Sequence, residues 1–144
     1  VSVLVANASG ALFAGLLMNR GMAVWSGLAL SALGMGTIGP VMTLDLFPDT
    51  ARLGLVLGFS FAAGFMPTVL FTGASVLVRS AAQLGTVQGM VLVGSSLGQF
   101  IGPPLLGWVV EITRTWTSIS LVLGVASALL LCVALIVRSR EIRP

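Results

Sequence analysis

Several polar side chains interrupt an apolar stretch in the second half of the chain, and three of them have a spacing that could bring them together: Gln88, Ser95 and Gln99. A helical residue turns by about 100°, which places Ser95 and Gln99 within about 20° of Gln88 and makes one narrow stripe. A buried amide in hydrocarbon costs free energy unless it finds a partner or water. The stripe as a whole favours the wall of an aqueous cavity that contacts a solute. For Gln99 alone, a hydrogen bond to a neighbouring helix is an equally good interpretation.

Asn7 is a single polar residue in the first apolar run, beside the small residues Ser9 and Gly10. It either lines the same cavity or hydrogen-bonds another helix, and the sequence does not separate these roles. Ser60 and Thr68 also interrupt an apolar run. Their hydroxyls can bond to their own helix, which favours a structural role for them.

The residues that most catalytic and metal sites need are missing. The chain has no His and a single cysteine, Cys132, inside an apolar run. The carboxylates Asp45 and Asp49 flank one loop and do not form a pair inside a span. We therefore expect no enzymatic activity, no metal and no cofactor. No mid-span carboxylate is present to relay protons or bind sodium.

The composition excludes a soluble domain and a disordered chain. Hydrophobic residues make up 57% of the 144 and charged residues only 8%, against about 25% charged in soluble proteins. The net charge of +3 comes from scattered Arg residues. They form no basic patch, so nucleic-acid binding is not expected.

Charged residues divide the chain into uncharged runs of the length that a bilayer requires, about 20 residues for about 30 Å of hydrocarbon. We predict an all-α integral membrane protein with five transmembrane helices in one domain, residues 1–144. Because the first residue is Val, we also expect the natural chain to extend further towards the N-terminus. The predicted spans are about 1–18, 22–44, 54–77, 84–109 and 116–137.

The distribution of Arg predicts the orientation. The junctions on one side, together with the C-terminal tail, hold five Arg and one acid, and the junctions on the other side hold two Arg and three acids. By the positive-inside rule, the C-terminus is expected on the cytoplasmic side. The membrane is expected to be the cell membrane. Tryptophans near the ends of spans fit interfacial positions. The first side carries Arg20, Arg79, Arg138, Arg140, Glu141 and Arg143; the second carries Asp45, Asp49, Arg52, Glu111 and Arg114; the tryptophans are Trp25, Trp108 and Trp116.

Glycine is abundant, with 18 residues in the chain. Small residues four apart let membrane helices approach closely. Gly94, Gly98 and Gly102 form two such steps, and Gly10 with Ala14 forms another. We predict that these residues pack helices together, with any role in conformational change secondary. Prolines at or near the ends of spans, such as Pro103 and Pro104, are expected to kink helices.

Two stretches carry a family resemblance. Residues 85–107, GTVQGMVLVGSSLGQFIGPPLLG, resemble the eleventh helix of major facilitator superfamily transporters. Residues 15–21, GLLMNRG, are similar to that family's cytoplasmic Gly-x-x-x-Asp-Arg-x-Gly-Arg-Arg loop. Here Asn19 replaces the Asp, Gly21 comes one place early and the trailing Arg pair is missing. These departures put the charge-relay role of the loop in doubt, whereas Gly15 and Arg20 still match positions that pack and anchor helices.

The resemblance implies a partial second half of the major facilitator fold, with the five spans as its eighth to twelfth helices. It places Asn7, Ser95 and Gln99 on helices that line the pathway between two halves. The implied function is secondary transport of a small solute by alternating access. The implied partners are the bilayer, the solute and an N-terminal half of the same chain. The alternative is a membrane-embedded scaffold or assembly subunit that transports nothing, since simple helix packing explains its glycines equally well.

Overall fold

The chain forms five helices over the residues that the computed structural model describes, which are 1–42, 47–78, 80–115 and 117–141, without the side chains of 76, 77, 81, 82 and 141. All five are long and apolar enough to cross a membrane, which confirms the predicted all-α class and, for the described residues, the predicted number of helices with the length and hydropathy of a span. Asp45, Arg79, Trp116 and Arg143, used in the orientation argument, lie outside the described residues. The helices are α1 (Ser2–Asn19), α2 (Val24–Met42), α3 (Asp49–Leu77), α4 (Ala81–Thr113) and α5 (Ser118–Glu141).

Two helices begin earlier than the hydropathy pattern predicts. α3 begins at Asp49 instead of residue 54, directly after Pro48, whose extended backbone marks the helix start. α4 begins at Ala81 instead of residue 84, because the Ser80 hydroxyl accepts a hydrogen bond from the Gln83 N–H at 3.3 Å and caps the helix. The charge-free runs mark the part of a helix that fits hydrocarbon, whereas capping residues decide where the helix starts.

α4 also continues beyond its predicted end, through Glu111 to Thr113. Its 33 residues extend about 50 Å at about 1.5 Å per residue. This exceeds the thickness of about 30 Å of the hydrocarbon core, so a charged residue in the last turn lies in the interfacial region or beyond.

A glycine ends α1 and turns the chain towards α2. Gly21 has a φ of +89°, a left-handed conformation that glycine adopts without strain. Its N–H donates to the Met18 carbonyl at 3.0 Å, and the Met22 N–H donates to the Leu17 carbonyl at 3.1 Å. This pair of bonds is a Schellman motif with Arg20 at the C-cap. Gly21 in the GLLMNRG segment therefore has a local structural role.

α3 is the centre of the bundle. It packs along α1 and α2, and α2 packs in turn along α5. Gly10 and Gly15 of α1 face positions 61 and 68 of α3, so these two helices run parallel. Trp25 near the start of α2 meets Arg138 near the end of α5, so that pair is antiparallel. The buried core joins these helices through Val24, Leu28, Val69 and Ala134.

α1 and α3 approach until backbone meets backbone. A Cβ added at Gly10 would overlap the Phe61 carbonyl oxygen, and one added at Gly64 would overlap the Asn7 carbonyl oxygen. The predicted small-residue step on α1 is confirmed, because Gly10 and Ala14 are both buried. Phe13 and Phe65 pack beside this contact, with ring centroids 6.0 Å apart.

Adding one methyl group at this contact should destabilise the bundle. We expect Gly64→Ala to lower the free energy of unfolding in detergent by about 1–3 kcal/mol, since the new Cβ must displace a carbonyl group of α1. The matched control is Gly54→Ala on the same helix, where no neighbouring atom lies within 4 Å of the new methyl group. Equal thermal midpoints for the two variants would contradict the close approach of α1 and α3.

Candidate functional site

The side chains of Ser95 and Gln99 form a polar pair in the middle of α4. The Gln99 Nε2 donates to the Ser95 Oγ at 3.2 Å, one helical turn away, and both residues are exposed. The pair therefore lies on one face of the helix, as the 100° rotation per residue requires. With Nε2 engaged in this way, the Gln99 Oε1 is available to accept a hydrogen bond from a ligand or water.

Two prolines add a backbone acceptor next to this pair. Pro103 and Pro104 lie inside α4, which continues through both of them. Proline has no N–H, so the carbonyls four residues earlier, those of Gln99 and Phe100, lack their usual helical donor. The Gln99 carbonyl and the Gln99 side chain belong to one residue, which concentrates acceptor groups halfway along a predominantly apolar helix.

The middle of α4 has no close neighbour among the described helices. A methyl group added at Gly94, Gly98 or Gly102 would have no neighbouring atom within 4 Å, and Phe100 is 80% exposed. α4 contacts α3 and α5 only sparsely. The packing role assigned to these three glycines stays a prediction, and it requires a partner surface other than the described helices.

Gln88 has the same direction as the pair but lies apart from it. It precedes Ser95 by seven residues, a rise of about 10 Å along the helix axis. It is half-buried, whereas Ser95 and Gln99 are exposed. The predicted stripe therefore has one compact polar pair near its middle and one more distant amide.

Asn7 lies on a different interface. Its Nδ2 donates to the Ser60 carbonyl oxygen on α3 at 3.1 Å, which is the interhelical hydrogen bond that the sequence left open. Nearby, Thr68 Oγ1 lies 3.4 Å from the Ala11 carbonyl oxygen. The structure thus uses these polar groups to join α1 to α3, and it does not bring Asn7 together with the α4 pair through any described contact.

The two residues taken from the GLLMNRG segment have modest contacts. A Cβ at Gly15 would lie 3.9 Å from the Thr68 methyl group, an ordinary van der Waals distance. Arg20 is exposed at the end of α1, and its backbone N–H donates to Leu16 and Leu17. Gly15 therefore faces α3, while Arg20 contributes a positive charge at the end of the bundle.

The sequence patterns did not indicate a contact between Arg138 and Trp25. The Arg138 guanidinium lies over the indole ring, with Cζ 4.8 Å from the ring centroid. This distance is within the range of a cation–π interaction. The two residues are 113 positions apart, so only the antiparallel packing of α2 and α5 brings them together. The sequence signal was limited to their predicted location on the same side of the membrane.

Comparison with protein-family models, curated proteins and solved structures finds no match to this chain. Within the described residues, no group of three or more His, Cys, Asp or Glu side chains is arranged to hold a metal ion.

Removing the two amides should affect stability differently. We expect Asn7→Ala to lower the free energy of unfolding by about 0.6 kcal/mol, up to about 2 kcal/mol, because it breaks a hydrogen bond between helices. Gln99→Ala should leave stability nearly unchanged, because its bond to Ser95 lies within one helix. Unfolding in a graded detergent mixture measures both. A larger loss for Gln99→Ala would instead place its amide in a packing contact.

Proposed function

We propose that this chain is part of a secondary transporter that moves a small solute by alternating access. The observation that carries the proposal is the exposed Ser95–Gln99 pair at the middle of the membrane-spanning helix α4. Exposed amide and hydroxyl groups at that depth are unfavourable against lipid chains, so they favour contact with water, solute or another polar surface. The proposal includes no catalytic reaction, cofactor or metal.

The resemblance to the major facilitator superfamily supports the same proposal. It supplies a first half and a seventh helix as the surfaces that α4 would face, across a central solute pathway. In this arrangement, Gly94, Gly98 and Gly102 allow close approach of the opposing helix. Ser95 and Gln99 provide the polar wall, and Asn7 contributes to the pathway only if its bond to Ser60 opens.

The second candidate function is a membrane-embedded scaffold or assembly subunit. The exposed apolar surface of α4 favours it, because Met90, Phe100 and Trp108 are all more than half exposed. A surface of this kind also fits permanent contact with another membrane protein. The two candidates differ in whether the α4 pair meets water, and that difference can be measured.

Access of a water-soluble thiol reagent to α4 tests the proposal. In the full-length protein with Cys132→Ser, we expect Gln99→Cys and Ser95→Cys to react with a charged methanethiosulfonate added to native membrane vesicles. Alternating access requires reaction at position 99 from either side of the membrane. Leu97→Cys is the matched control, since it lies about 160° from Gln99 around the helix and faces away from the pair. A scaffold would leave position 99 unreactive or reactive from one side only.

The same method tests the orientation, in which we propose a cytoplasmic C-terminus. Asp49→Cys at the start of α3 should react only from outside the cell, and Arg140→Cys near the end of α5 only from inside. The two positions serve as controls for each other in right-side-out and inside-out vesicles. Reversed labelling would overturn the orientation and, with it, the assignment of these helices to the eighth to twelfth of the family.

A further inference from the structure

One end of the bundle, which we call the Arg138 end, gathers three of the described arginines, Arg20, Arg138 and Arg140. Met18 at the end of α1 and Val137 near the end of α5 pack against the same buried cluster as Val24 at the start of α2. Arg20 follows Met18 by two residues, and Arg138 directly follows Val137. The shared core therefore places both arginines at one end of the bundle. Arg140 follows in the last turn of α5.

The described side chains at the Arg138 end carry only positive charge: Arg20, Arg138 and Arg140. The opposite end has both signs, with Asp49 and Arg52 at the start of α3 and Glu111 and Arg114 at the end of α4. The sequence as a whole shows the same asymmetry, since five Arg and one acid belong to the Arg138 side. A one-signed surface at a membrane boundary attracts anionic lipid headgroups.

The contact between Arg138 and Trp25 gives this charge a defined geometry. The Arg138 guanidinium lies over the indole ring, with Cζ 4.8 Å from the ring centroid, while Arg138 stays exposed. A guanidinium carries five N–H donors spread in its own plane, so contact with a single ring leaves donors available. Among the described side chains, none accepts a hydrogen bond from this group or forms an ion pair with it. The planar fork of donors matches the oxygens of a phosphate.

We propose that Arg138, held over Trp25, binds the phosphate of an anionic phospholipid at the Arg138 end. The indole lies near the start of the spanning segment of α2, at the depth where tryptophan side chains meet headgroups. The acyl chains of the lipid pack against the apolar surface of the bundle. The phosphate oxygens of the lipid headgroup accept hydrogen bonds from the Arg138 guanidinium. Arg20 and Arg140 lie at the same end, and no described contact gives either guanidinium a comparable fixed geometry. This site is separate from the polar pair on α4 and does not depend on solute transport.

Quenching of Trp25 fluorescence by brominated lipids tests the proposal. The protein in which Trp25 is the single tryptophan, with Trp108→Phe, Trp116→Phe and Phe at any further tryptophan of the natural chain, is reconstituted in equimolar phosphatidylglycerol and phosphatidylcholine. One or the other lipid is brominated in its acyl chains. We expect the relative binding constant at Trp25 to favour phosphatidylglycerol by about fivefold, the effect of one Arg near an anionic surface. The preference should decrease as salt is added.

Arg138→Gln should bring the preference close to one, whereas Arg114→Gln at the opposite end should leave it unchanged. Equal thermal midpoints for the two variants establish that both remain folded. If Arg138→Gln does not fold, the measurement in the protein with Arg138 intact still tests the proposal. No preference for phosphatidylglycerol in that protein would overturn the proposal, as would a preference that Arg138→Gln leaves unchanged.

Discussion

The backbone contact between α1 and α3 determines the spacing on which the rest of the bundle depends. Without side chains at Gly10 and Gly64, each helix comes against a carbonyl of the other. In a membrane, such close packing replaces the water-exclusion force that holds soluble helices together. At this spacing the Asn7 amide reaches the Ser60 carbonyl oxygen. A wider separation of α1 and α3 would remove the packing contact. It would also leave the Asn7 amide without its hydrogen-bond acceptor in hydrocarbon.

From this pair, contacts extend outward through α2 to α5. The buried cluster around Leu28 and Val69 joins α2 to α3, and Ala134 of α5 completes it. The same antiparallel packing places Trp25 under Arg138 at one end. A hydrophobic core and a charged boundary are therefore two results of one arrangement of helices. The core stabilises the arrangement of helices. At the boundary, the described charged side chains of one end are all positive, whereas the other end has both signs.

α4 differs from the other helices in the kind of surface that it presents. Its glycines meet no described neighbour, and its polar pair is exposed at mid-length. A spanning helix with only apolar exposure can face lipid, but an exposed amide with acceptor groups nearby favours a wet or polar partner. Because Pro103 deprives the Gln99 carbonyl of its helical donor, the polarity is not limited to side chains. This combination of side-chain and backbone polarity motivates the transport proposal.

The local properties of this protein follow from the sequence. Hydropathy over about 20 residues identifies the five spans, because the cost of placing a residue in hydrocarbon depends mainly on that residue. Helical rotation places Ser95 and Gln99 on one face, because 100° per residue needs no tertiary information. The N-terminal ends of α3 and α4 were missed, because the extended backbone at Pro48 and the Ser80 cap act independently of hydropathy.

Only the tertiary structure decided which residues contact each other between helices. Small residues four apart occur on both α1 and α4, yet Gly10 meets a carbonyl and Gly98 meets nothing described. The pattern permits close approach but does not specify the opposing surface. Likewise, Asn7 had two open roles until α3 placed the Ser60 carbonyl 3.1 Å from its amide. The contact between Trp25 and Arg138 joins residues far apart in the chain. Each of these interactions requires two helices at a defined distance, which a one-dimensional pattern does not contain.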